Sequence, residues 1–329
     1  MNLDQRIALL SWLGDYMLAH ETPWQQAQEQ ACHVNSWFIP EHVIQAVENI
    51  ATCFLQADLL EKWAQSYTMP SQPCHVGIVM AGNIPLVGFH DFLSAFITGH
   101  YQHIKLSSKD NVLLLHLIQK LIQKEPSLSS YLHVETQLKN CDAYIATGSN
   151  NTSRYFEAYF AKYPHIIRKN RTSIAVLDGT ESREDLEQLG EDIFAYFGLG
   201  CRNVTQIYVP EGYNFEPLLK ALQKYEYYMQ YHKYKNNFDY HLSIFLLNNV
   251  PVLTNNSILL VENELPFAAV SVLHYQYYTD LTALTHTLQN DERIQAIVGK
   301  NHIPLGNAQK PSLSDYADGV DTMQFLCGL

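Results

Sequence analysis

The 329-residue chain lacks any apolar run of the roughly 18 residues that a membrane helix needs, so no transmembrane segment is expected. Its six cysteines, Cys32, Cys53, Cys74, Cys141, Cys201 and Cys327, form no CxxC pair. They are far apart and are expected as reduced thiols in a cytoplasmic protein. None of the 15 histidines forms HExxH or a Cys/His zinc spacing, and the closest pair is His100 and His103. A metal site needs three or four convergent ligands, so no metal is expected. Basic residues are few: Lys and Arg number 21 against 33 Asp and Glu, for a net charge of −12. That balance argues against a nucleic-acid surface but leaves room for one basic pocket facing a phosphorylated small molecule. The amino-terminal "MNLDQRIALLSWLGDYMLAH" carries Asp4 and Asp15 and no basic start, and so reads as an amphipathic helix rather than a signal peptide. Internal repeats and low-complexity linkers are also missing.

What is present is ample material for a core. Hydrophobic residues make up 47 % of the chain and charged residues 16 %, which places it among globular proteins of one large or two smaller domains. Residues 1–68 carry apolar positions at three- and four-residue steps, as in "IPEHVIQAVENIATCFLQADLLEKWAQ", the period of helices. After Ser71-Gln72-Pro73 the pattern alternates. Strands are predicted at 75–80, 103–106 and 143–147, with helices at 85–99, 110–124 and 152–163. A second series follows: strands at 173–179, 205–210, 257–262, 267–276 and 294–299, and helices at 182–198 and 215–230. This order predicts an α/β protein with parallel sheets and right-handed crossovers. The polar "RKNRTS" near residue 170 marks the boundary between the two series.

Four stretches hold candidate chemistry. In "MAGNIPLVGFHDF" (80–92) a strand ends, small residues follow and a helix begins. Asn83 there is read first as the helix cap, with an oxyanion donor as the alternative. Lys105 leaves a strand end in "KLSSKD" and is either a surface lysine or a partner for a ribose or phosphate. Gly148 and Ser149 lie between a strand and a helix, as an ordinary turn or as a phosphate cradle. Cys201 follows Gly198-Leu199-Gly200 and precedes the strand "TQIYVP". Taken alone, it is a packing residue before it is a nucleophile. The tyrosine-rich "YEYYMQYHKYKNNFDYH" (225–241) reads as a helix packed on a neighbour, with an acyl-chain wall as the functional alternative.

Taken in order, Asn83, Lys105, Gly148-Ser149, Cys201 and the "ENELPFAAVSV" stretch (262–272) resemble the aldehyde dehydrogenase superfamily. The resemblance spans roughly residues 75–275. It implies two Rossmann-like parallel-sheet domains, one for the cofactor and one catalytic, with an N-terminal helical segment. Residues 1–70 would be helices packed on the cofactor domain, 71–170 the dinucleotide-binding domain, and 171–329 the catalytic thiol domain, with a C-terminal tail able to return to the first. The resemblance assigns Cys201 as nucleophile, and Asn83 with the Cys201 N–H as the oxyanion hole. It gives Lys105 to the adenosine ribose, the Gly148-Ser149 helix start to the pyrophosphate, and Glu264 to the nicotinamide ribose.

One departure narrows the reading. Where the superfamily has "E-L-G-G-K", whose glutamate activates water, this chain reads "PHIIRKNRTSIAVLDG", with Ile167 or Arg168 at the corresponding place. A thiol enzyme without that base forms an acyl-thioester and passes it on to something other than water. The chain most resembles the LuxC-type acyl-CoA reductases, which reduce fatty acyl groups to aldehydes. The implied substrate is an acyl-CoA or acyl-carrier thioester, and the implied cofactor NADPH or NADH. Ser107, Ser108 and Lys109 after Lys105 favour NADPH, because neutral donors and a cation accept a 2′-phosphate where a carboxylate would repel it. The alternatives are a dehydrogenase acting on free aldehyde and a non-catalytic dinucleotide-binding scaffold. Members of the superfamily often assemble through an extra hairpin. No clear hairpin is legible here, and a homodimer stands as an expectation only.

Overall fold

The computed structural model describes residues 1–148 and 150–329 of the chain, which forms two compact units, residues 1–170 with 311–329 and residues 171–310.

The first unit opens with four helices, α1 (Leu3–Leu18), α2 (Thr22–Val34), α3 (Pro40–Cys53) and α4 (Ala57–Gln65). A capping box starts α1: Asn2 Oδ1 accepts from Gln5 N–H at 2.9 Å and Gln5 Oε1 accepts from Asn2 N–H at 3.0 Å. Pro23 and Pro40 sit in the first turns of α2 and α3, where the missing N–H costs nothing. The sheet follows as β1 (His75–Val79), α5 (Phe89–Thr98), β2 (Tyr101–Lys105), α6 (Leu113–Lys124), β3 (Leu132–Val134), β4 (Ala143–Thr147), α7 (Asn150–Phe160) and β5 (His165–Arg168). Its strands are all parallel, in the order β3-β2-β1-β4-β5. The order reverses between β1 and β4, and that switch point is where open α/β sheets bind ligands, beyond the carboxyl ends of the strands.

The second unit runs β6 (Thr172–Val176), α8 (Arg183–Phe194), β7 (Val204–Pro210), α9 (Glu216–Ala221), α10 (His232–Leu247), β8 (Leu253–Thr254), β9 (Leu259–Glu262), β10 (Val272–Tyr278), α11 (Leu281–Gln289) and β11 (Ile294–Gly299). Its sheet has the order β11-β6-β7-β10-β9-β8 and is parallel except for β8 against β9. All five residues of β6 are buried, as in a strand covered on both faces. The short antiparallel pairing of Leu253 with Leu260 and Thr254 with Leu259 is a hairpin that the sequence did not reveal.

The chain then returns to the first unit. Leu313, Tyr316, Met323 and Leu326 join its hydrophobic core, the last two from α12 (Thr322–Cys327). The buried His100 fixes this tail. Its Nδ1 accepts from Cys74 N–H at 2.9 Å, so Nε2 donates to the Leu326 carbonyl at 3.0 Å.

Candidate active site

Cys201 lies half-buried in a turn between α8 and β7. Just before it, Tyr196, Phe197 and Gly198 all have left-handed backbones, with φ of 52°, 56° and 76°. Glycine adopts that conformation freely, but a bulky residue does so only under constraint. The constraint is visible in the packing. The Phe197 ring is buried, with centroids 4.7 Å from Tyr228, 5.4 Å from Tyr231 and 5.7 Å from Tyr234. Phe194 stacks on Tyr225 at 4.2 Å. The tyrosine-rich run is therefore the bed on which the cysteine turn rests.

Asn203, with no exposed surface, locks the turn. Its Oδ1 accepts from Gly200 N–H at 2.8 Å, and its Nδ2 donates to the carbonyls of Ala195 at 2.7 Å and Asp192 at 3.1 Å. Those carbonyls belong to the end of α8, where no intrahelical donors remain. Ser173 Oγ donates to the Cys201 carbonyl at 3.0 Å. Neither Asn203 nor Ser173 is a candidate on sequence grounds. The signal for Asn203 is a lone amide two residues past the thiol, flanked by strand residues.

Glu264 is exposed in the loop after β9. That loop is pinned to the start of β7: Gln206 Nε2 donates to the Asn263 carbonyl at 2.9 Å and Thr205 Oγ1 to that of Pro266. Asn263 Oδ1 accepts from Leu265 N–H at 2.9 Å, and His274 Nδ1 donates to the Leu265 carbonyl at 2.7 Å. The carboxylate is thus carried by a loop tied to β7 through Thr205 and Gln206 and to β10 through His274.

In the first unit the carboxyl ends of the strands bring three candidate segments together. Asn83 is exposed in the loop after β1, and α5 begins only at Phe89. This overturns the reading of Asn83 as a helix cap, and of Pro85 as a first-turn residue. Leu86, at φ 56°, and Gly88 turn the chain before the helix can start. Lys105 is exposed at the end of β2, opposite Val79. The loop carrying Asn83 and the turn after Lys105 fit closely: a Cβ at Gly82 would lie 2.6 Å from Ser107 Oγ. Asp110 clamps the two. It is buried, and its Oδ2 accepts from Leu86 N–H at 2.7 Å. Burial raises its pKa to about 6. Ser108 and Lys109 stay exposed. Gly148 follows β4, with Thr152 of α7 against it; Ser149 lies outside the described residues.

Each unit thus carries its candidate residues in loops at the ends of a largely parallel sheet. A family model for acyl-CoA reductase (LuxC) matches residues 18–224. The chain belongs to that family. Membership of the LuxC acyl-CoA reductases makes it an oxidoreductase. Solved structures share the fold at low identity. An NADP dependent enzyme from E. coli superposes with TM-score 0.70 at 13 % identity, over 91 % of this chain and 73 % of that one. Aldehyde dehydrogenase 21 from Physcomitrella patens, in complex with succinate, gives 0.67 at 12 %, over 92 % and 74 %. An NAD-dependent aldehyde dehydrogenase from Sinorhizobium meliloti gives 0.67 at 12 %, over 94 % and 73 %. No curated protein matches the chain in sequence.

Within this LuxC chain, Arg168 is turned into the protein. Its Nη2 donates to Asp91 Oδ1 at 2.5 Å and to Thr322 Oγ1 at 2.8 Å, and its Nη1 to the Ala317 carbonyl at 2.7 Å. Arg168, one of the two residues expected at the place of the superfamily's glutamate, is part of an anchor for the carboxyl-terminal tail. Among the described residues no group of three His, Cys, Asp or Glu could hold a metal, and no helix is long and apolar enough to cross a membrane.

Proposed function

We propose that the chain reduces an acyl-CoA, or a related acyl thioester, to the aldehyde through an acyl-cysteine on Cys201. The observation that carries this reading is the Cys201 turn. Three left-handed residues, a buried aromatic bed and the Asn203 amide all serve to hold one half-buried thiol in place. At the two non-glycine positions, Tyr196 and Phe197, such a backbone costs on the order of 1–3 kcal/mol per residue and persists only where the surrounding packing enforces it.

The thiolate of Cys201 attacks the thioester carbonyl. The C–S bond to CoA breaks, CoA leaves with that electron pair and takes a proton, and the acyl group stays on the cysteine. Asn83 and the Cys201 backbone N–H are the proposed donors to the oxyanion. Removing one such donor lowers rates on the order of 100- to 1000-fold. A reduced nicotinamide, when bound, supplies the hydride that brings the acyl carbon to the aldehyde level. The Cys201 sulfur then accepts the electrons of its own C–S bond and is a thiolate again. Neither Ile167 nor Arg168, the residues expected at the place of the water-activating glutamate, is a carboxylate, and Arg168 is committed to Asp91; this favours the thioester over the acid.

The donor set at the end of β2 suits a dinucleotide. Lys105, Ser107, Ser108 and Lys109 present cations and hydroxyls, while the nearby carboxylate of Asp110 is buried and bonded to Leu86. These residues, with Gly148, Ser149 and Glu264, would hold the cofactor. The inward turn of Asp110 supports NADPH, because no exposed carboxylate of this turn faces a 2′-phosphate.

Intact mass after incubation with a long-chain acyl-CoA, without cofactor, tests the proposal. A wild-type adduct that is absent in Cys201→Ala, and that discharges as aldehyde on adding NADPH, is the expected result. A wild type that stays unmodified across acyl lengths overturns it and favours a free-aldehyde substrate.

A further inference from the structure

A cavity of about 280 Å³ opens in the first unit where β1, β2 and β3 begin, at the sheet end opposite the Asn83, Lys105 and Gly148 loops. Arg6 of α1 lines it. Its guanidinium occupies the space that a side chain at residue 99 would take: a Cβ on Gly99 would lie 1.9 Å from Arg6 Nη1. A guanidinium carries five N–H donors. Among the described residues these find one acceptor, the Met1 carbonyl, 3.5 Å from Nη1. Nε is buried and unpartnered, and no carboxylate pairs with the group. Desolvation pushes the arginine pKa down, and the one ionisable neighbour acting against this is Tyr131.

Gln102 also lines the cavity, and it offers an acceptor rather than a donor. Gln102 has no exposed surface. Its Nε2 donates to the Phe92 carbonyl at 3.2 Å, while its Oε1 has no partner. His100, also on the cavity, adds no charge. Both its nitrogens are spent on Cys74 and Leu326, and burial lowers its pKa. A partly desolvated cation with unspent donors, facing a cavity and lacking a counter-ion, is costly unless an anion completes it.

We infer that this cavity is a binding site for a small oxyanion, a carboxylate or a phosphate, held by the Arg6 guanidinium. The planar fork of arginine matches the paired oxygens of either group. Phe96, Leu128 and Leu132 on the walls leave room for a short apolar tail, which distinguishes the two sources.

Calorimetric titration of the full chain with inorganic phosphate and, separately, with hexanoate tests the site. The expected result is saturable one-site binding of at least one anion, weakened at least tenfold in Arg6→Gln and partly retained in Arg6→Lys. Hexanoate binding more tightly would assign the apolar walls to a ligand tail; phosphate binding more tightly would assign a phosphate. If neither anion binds, or if Arg6→Gln binds as wild type does, the inference is wrong. Should Arg6→Gln fail to fold, the Arg6 Nε–H resonance of the wild type gives the same answer: it shifts on titration, or the inference fails. Cys201→Ala should bind the anion unchanged, so failure of the catalytic proposal would leave this result standing.

Discussion

Gly200 and Asn203 exchange two hydrogen bonds across the turn that holds Cys201. Gly200 N–H donates to Asn203 Oδ1 at 2.8 Å, and Asn203 N–H donates to the Gly200 carbonyl at 3.1 Å. The same amide reaches back to the last carbonyls of α8, so one side chain fixes both ends of the approach to the thiol.

Asn203→Ala should therefore cost about 3 kcal/mol, since several buried groups lose their partners together. Asn203→Asp should cost more, because it sets a carboxylate against carbonyl oxygens. Chemical denaturation measures the loss. At temperatures where Asn203→Ala remains folded, adduct formation on Cys201 should slow. An adduct rate equal to wild type would show that the amide serves the fold and not the thiol.

Two buried carboxylates should respond differently to one change. Burial raises Asp110 and Asp192 alike to about 6. Each therefore binds its proton more tightly when folded. The stability this gives is full below about pH 4 and is lost as pH rises through 6. Asp110 has one oxygen on Leu86 N–H and one without a partner, so Asp110→Asn keeps the acceptor and removes the charge. Its stability relative to wild type should improve between pH 5 and pH 8, by at most about 3 kcal/mol. Asp192 uses both oxygens, accepting from Gly306 N–H at 2.7 Å and Ala308 N–H at 2.9 Å. Asp192→Asn would point an amide N–H₂ at a backbone donor. Its melting temperature at pH 8 should fall, and cleavage by protease near residues 306–308 should rise. Identical pH curves for the two variants would refute this account.

The Asp91–Arg168 pair, 5–8 % exposed at its side chains, is a third test. Removing one partner strands a buried charge. Asp91→Asn or Arg168→Met should each lose about 3–5 kcal/mol, whereas replacing both by apolar residues should recover part of that. A double-mutant cycle followed by urea unfolding measures the coupling. Strict additivity would mean that the tail, and not the ion pair, carries the stability.

Cofactor choice gives a fourth. Ser108 is exposed beside Lys109, on the turn that Asp110 fixes. On the proposed placement of the 2′-phosphate at this turn, Ser108→Glu should raise the NADPH KM by tenfold or more and leave the NADH KM within a few-fold. Steady-state kinetics with both cofactors reads the ratio. A ratio that does not move would place the 2′-phosphate elsewhere.

The parts of the fold legible in the sequence are those with an unbroken apolar signal. Strands β1, β4, β6 and β7 lie inside their sheets and are buried almost throughout, so their runs stand out. The strands that went unread, β3, β5 and β8, are edge or near-solvent strands holding His133, His165 and Arg168, or only two residues. The sequence predicts α5 from residue 85 because Pro85 is a good helix opener, while the turn at Leu86 depends on a bond to Asp110, 24 residues on. Among the candidate residues, Cys201 and Glu264 are singled out by their neighbouring residues. Asn203 is marked only by its place two residues past the thiol, and Asp110 acts on backbone 24 residues away, which nothing local marks.

Residues 171–310 interrupt the first unit, which closes only when residues 311–329 return to it. This sets an order of events during synthesis. Once residue 310 has emerged from the ribosome, the second unit has all its strands and can finish folding. The first unit still lacks Tyr316, Met323 and Leu326 from its core, and Arg168 still lacks Thr322 and the Ala317 carbonyl. A nascent chain stalled there would expose an open apolar core beside a half-satisfied ion pair, the kind of surface chaperones bind. Residues 311–329 thus complete the fold of the unit that begins first.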